Sequence, residues 1–204
     1  MREAIPAACA ERGSGVEQAM QNRVPLWLAS AITVCVSLPF GSWLGDFNIP
    51  LWAAFIVWAE YFVLGARPAV LRTIIPAYVI GSGGAVAILT LYAILSDAFG
   101  TARLYADHDI ASFVAFFIGF CVLLYAQRWM PVTRTGMLPF FNGISMTLGV
   151  YFAESFFRPF GAQVSDINPI VLPAIAGVGA ILAGLLGSFL GWLNVVILFQ
   201  RPAR

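Results

Sequence analysis

Six apolar runs take up most of the chain, and each is long enough to cross a membrane. They are Val24–Leu44, Ile49–Gly65, Val70–Leu95, Ile110–Met130, Met137–Phe157 and Pro169–Phe199. A helix needs about 20 residues to cross the ~30 Å hydrocarbon core. The second run is short and begins at Pro50, where a first-turn proline loses no hydrogen bond. The sixth is over-long and can tilt, break or start outside the bilayer. Only 10% of the 204 residues are charged, against about 25% in a soluble domain. The chain therefore reads as an all-α, polytopic integral membrane protein with six transmembrane helices, and the lipid bilayer is its first partner.

The loops support that number. Six crossings put Arg2, Arg12, Arg23, Arg67, Arg72, Arg128, Arg134, Arg201 and Arg204 on one side. The other side receives only Arg103 and Arg158, with Asp46, Asp97, Asp107, Asp109 and Asp166. Excess arginine marks the cytoplasmic side, so both termini are expected there. Residues 1–23 form a polar cytoplasmic segment, 24–199 the membrane domain and 200–204 a short tail. The run after residue 23 is too long for a signal-peptide core and lacks a small-residue cleavage site.

Several functions are disfavoured. Net charge is +1, and no basic patch interleaved with aromatics points to nucleic acid. Cys9, Cys35 and Cys121 are far apart and His108 is the sole histidine, so a Cys/His metal site is not expected. No nucleophile–base pair stands out, so the chain does not read as an enzyme and implies no cofactor.

Two stretches read alike. V-W-A-E-Y-F-V-L-G-A-R-P runs from Val57 to Pro68, and V-Y-F-A-E-S-F-F-R-P from Val150 to Pro159. Pro76-Ala77 with Gly81-x-Gly83 follows the first, and Pro173-Ala174 with Gly177-x-Gly179 the second. With three helices per half (24–98 and 110–199), the second copy would be upside down. That is the pattern of a 3+3 inverted-topology repeat, which places a site at the repeat interface near the midplane.

A carboxylate inside a membrane run is costly, about 2.5–3.5 kcal/mol on the insertion scale. Glu60 must face the bundle interior, be protonated or find a donor. Glu154 lies near the end of its run with Arg158 at i+4, which suits an interfacial ion pair. Asn142 and Asn194 are further polar groups inside runs, each able to join helices or line a path. Trp58 sits deep enough to form one side of an aromatic constriction. Trp43, Trp52 and Tyr61 read as an interface belt. The candidate path residues are thus Glu60, Trp58, Asn142, Glu154 and Asn194, with no metal ligands. Glycines such as Gly187 and Gly191 suit close helix packing or a broken helix lining a site.

L-W-A-A-F-I-V-W-A-E-Y-F, Leu51 to Phe62, resembles a segment of a bacterial inner-membrane family, domain of unknown function 1097. The stretch Leu172 to Gly191 is similar to that family's last helix. The resemblance implies a small multi-helix inner-membrane protein and carries no site residues. The expected function is passage of a small solute or ion through a transporter or channel. The alternative is a scaffold or accessory subunit with no path. A homo-oligomer is a candidate assembly.

Overall fold

The computed structural model describes residues 24–99, 109–157 and 167–198. The leader 1–23, Arg158 and the tail 200–204 lie outside them. Seven helices follow in order: α1 (Leu26–Ser42), α2 (Leu51–Val63), α3 (Leu71–Phe99), α4 (Ile110–Ala126), α5 (Pro131–Thr135), α6 (Met137–Phe152) and α7 (Leu172–Leu198). Short 3-10 turns occupy Gly45–Phe47, Pro68–Val70 and Gln127–Trp129, and there is no strand among the described residues.

Three stretches are long and apolar enough to cross a membrane: Pro68–Phe99, Ile110–Trp129 and Leu172–Leu198. They make the chain a membrane-embedded helical protein. The others are shorter: α1 has 17 residues, α6 has 16 and α2 only 13. Local chemistry sets these ends. Leu51 of α2 follows Pro50 directly, and α2 stops before Gly65, which has a φ of 99°. Asp109 caps α4 by accepting a hydrogen bond from Ser112 N at 3.0 Å. α6 ends at Phe152, so the expected run to Phe157 is five residues too long.

Neighbouring side chains give the helix directions. Thr73 and Ala77 lie against Gly136, whereas Gly81 lies against Phe140 and Ile144, so α3 and α6 run parallel. Trp52 meets Gly149 while Glu60 meets Asn142, so α2 and α6 run antiparallel. Val86 meets Gly177 and Tyr78 meets Gly184, which makes α3 and α7 antiparallel. Ser30 near the start of α1 bonds Asn194 near the end of α7. In chain order α1, α2, α3, α4, α6 and α7 thus alternate in direction. Their ends are unlike. Exposed Arg67, Arg72, Arg128 and Arg134 gather at one end, and Asp46, Asp97 and Asp109 at the other. At the arginine end the Arg128 guanidinium stacks 3.9 Å from the Tyr125 ring and 4.3 Å from that of Trp129.

The core lies between α2, α3, α6 and α7. Ala53, Ala54, Val57, Ala176, Ala180 and Ala183 are fully buried there, so the helices approach closely. At the α3–α6 crossing a Cβ on Gly81 would overlap the Phe140 carbonyl oxygen, and one on Gly143 would overlap that of Tyr78. Ser82 Oγ donates across this crossing to Gly143 O at 3.2 Å. On the outside, α4 shows Phe113, Phe117, Ile118 and Val122, and α1 shows Trp27, Ile32 and Val36. A surface this apolar suits lipid contact. Cys35 and Cys121 belong to it, not to the core.

Candidate functional site

α2 brings a single carboxyl into this core. Glu60 is 3% exposed, although it stands only one turn from the end of its helix. Asn142 on α6 donates from Nδ2 to Glu60 Oε2 at 2.9 Å. The other oxygen, Oε1, is buried without a hydrogen-bond partner among the described residues. The phenol of Tyr78 on α3 lies within electrostatic reach of Glu60 and donates to Ala180 O of α7 at 3.1 Å. Side chains of α3 and α6 thus reach the one acid of α2.

More buried polar groups lie on α2 and α7. Tyr61 is fully buried and packs on the α7 backbone at Gly191, its hydroxyl unpartnered among the described residues. Ser188 Oγ, on α7 between Gly187 and Gly191, is likewise buried and unpartnered. Six residues further on, Asn194 donates from Nδ2 to Ser30 Oγ at 3.2 Å and leaves Oδ1 without a partner among the described residues. Glu60, Tyr61, Asn142, Ser188 and Asn194 form a thick polar layer, spread along α7 from Ser188 to Asn194. That layer lies near the arginine end, because Glu60 and Asn194 are late in helices that finish there and Asn142 is early in one that starts there.

The structure joins Glu60 to Asn142 and sets Asn194 at the edge of the same layer. It separates Trp58 and Glu154 from it. Two residues along a helix turn the side chain by about 200°, so Trp58 points away from Glu60 and packs edge-on against Phe55 at 5.8 Å. Glu154 is exposed and lies beyond the end of α6, in left-handed backbone with φ 48°. It is not on the helix, and Arg158, its expected i+4 partner, lies outside the described residues. Tyr61 is also corrected: it is a core residue, while Trp43 and Trp52 are exposed.

The two glutamates are not structural counterparts. α2 closes with Ala66 N to Tyr61 O and Gly65 N to Phe62 O; α6 closes with Ser155 N to Val150 O and Glu154 N to Tyr151 O. This is the same two-bond helix terminus. Matching the termini pairs Glu154 with Gly65, and Glu60 with Gly149.

Sequence reasoning missed Tyr78, Ser188 and Ser30. Ser188 continues the four-residue spacing of small residues from Gly184, a signal that was present. Nothing in the sequence marks Tyr78 or Ser30. α3 and α7 carry their glycines without interruption, so neither is a broken helix. Two grooves lie elsewhere. One of 470 Å³ at the aspartate end is lined by Asp46, Asn48, Trp52 and Ser155. One of 640 Å³ follows the phenylalanine face of α4. No cluster of three or more His, Cys, Asp or Glu side chains that could hold a metal ion occurs among the described residues.

The family model described as protein of unknown function (DUF1097) matches residues 24–197. The chain belongs to that family. The match runs from just before α1 into the last turn of α7, so the DUF1097 unit includes the whole polar layer. No curated protein and no solved structure is significantly similar to this chain.

Proposed function

We propose that this DUF1097 protein is a six-pass bacterial inner-membrane protein that moves a small solute or ion past the Glu60–Asn142 pair. One observation carries the reading. A carboxyl oxygen is buried without a partner where α2, α3, α6 and α7 meet. Acids inside membrane segments are costly and commonly mark paths for ions or substrates.

The alternating helix directions support six crossings. The separation of arginine from aspartate supports cytoplasmic termini. Thinning of the bilayer accommodates the short helices α1, α2 and α6. The inverted repeat has support in packing: α2 lies on α7 as α6 lies on α3, and α1 lies on α7 as α4 lies on α3. The third helices of the two halves pack on each other. In this arrangement the polar layer is displaced from the midplane toward the cytoplasm. The protein performs no covalent chemistry, and copies associate through exposed apolar faces.

A scaffold role is the second reading, and the low exposure of Glu60 favours it. Flux into proteoliposomes over a panel of small neutral, cationic and anionic solutes separates the two. The transport reading expects flux of one solute class by the wild type and its loss in folded Glu60→Gln. Absence of flux across the panel leaves the scaffold.

A further inference from the structure

The charge balance around Glu60 restricts what can bind there. Helices α1, α2, α6 and α7 contain no Arg, Lys or His, and the one basic residue of α3, Arg72, is exposed. The groups facing Glu60 are Tyr78 from α3 and Asn142 from α6, while Tyr61, next to it on α2, turns to Gly191 of α7. α7 offers no ionisable side chain, and α1 only Cys35 on its outer surface. A buried carboxylate without a compensating charge is strongly disfavoured. No described side chain supplies that charge.

The neutral groups of the layer are rich in oxygen. Glu60 Oε1, Tyr61 Oη, Ser188 Oγ and Asn194 Oδ1 are all buried without partners among the described residues. Asn142 is already committed through its donor to Oε2. An anion would meet a carboxyl group and no positive charge. A small cation at Oε1 would meet a carboxyl oxygen with no described positive charge facing it.

We propose that Glu60 Oε1 is the binding point for a small monovalent cation, a proton or an alkali ion. The inference rests on Glu60 as the path residue and names the class of ion bound there. Asn142 acts as a positioning residue, fixing one oxygen and leaving the other free. A proton converts the carboxylate to the acid, with O–H at Oε1. An alkali ion binds the carboxylate without covalent change.

Infrared difference spectra of the full chain in lipid bilayers test this by binding, independently of flux. Spectra are compared between low and high pH, and between sodium or potassium and a bulky organic cation at one pH. The expected result is a carboxyl signal that responds to one of these changes, disappears in Glu60→Gln and shifts in Asn142→Ala. A response to pH alone identifies the proton; a response to alkali ion at fixed pH identifies the metal cation. If Glu60→Gln does not fold, the Asn142→Ala shift still assigns the signal, because that substitution removes the donor to Oε2. A wild type without such a signal, or one unchanged by the substitutions, overturns the inference. A Glu60 signal in a protein without flux overturns the transport reading and leaves cation binding standing.

Discussion

Glu60 and Asn142 each depend on the other. Removing one partner of a buried hydrogen bond leaves the second unsatisfied, at a cost of about 1–3 kcal/mol, whereas replacing both by apolar groups can be nearly neutral. Asn142→Leu alone should therefore lower stability by about that amount, and Glu60→Leu with Asn142→Leu should recover most of it. Thermal unfolding in detergent reads both; equal losses in the single and double variants would contradict the pair. Glu154 behaves differently. Its left-handed backbone is strained for any residue with a Cβ. Glu154→Gly should raise stability by about 1 kcal/mol, and a loss would mean that its side chain has a structural partner. Each glutamate is conspicuous in the sequence, but their difference is not. It depends on where α6 stops, and an apolar stretch such as Ser155 to Phe157 gives no sign that the helix has already ended.

Among the elements, α3 is the most constrained, since α4, α6 and α7 all pack on it. Its glycines are not equivalent. A Cβ on Gly81 would strike the backbone of α6, while one on Gly83 would meet nothing within 4 Å. Gly81→Ala should thus destabilise by about 1–3 kcal/mol through overpacking. Gly83→Ala should stabilise by about 0.5–1 kcal/mol through reduced backbone freedom. Matching effects at the two positions would contradict the close α3–α6 crossing. The small-residue pattern made tight packing legible in the sequence, without telling which glycine meets which helix. Partner choice is a three-dimensional property: Glu60 and Asn142 are 82 residues apart, and no periodicity links them. Tyr61 reads as a belt residue in sequence for a related reason. An aromatic near a helix end looks the same in sequence whether it turns to lipid or, as here, to Gly191.

For the whole molecule, the apolar runs made the helical class legible, and the arginine distribution suggested an orientation. All six expected runs contain a helix, but proline and glycine shorten several, and only three stretches keep crossing length. The proposed orientation predicts that reporters fused after residue 204 and inserted near Arg134 share one side, with a reporter near Asp46 on the other. Any other distribution contradicts six crossings. The central claim is that the Glu60–Asn142 pair serves a path and is more than packing. Its most direct test is flux through the Glu60→Leu, Asn142→Leu double variant, shown beforehand to unfold at the wild-type temperature. The account predicts a stable protein that has lost the wild-type flux. Undiminished flux would contradict it and make the buried carboxyl a packing device.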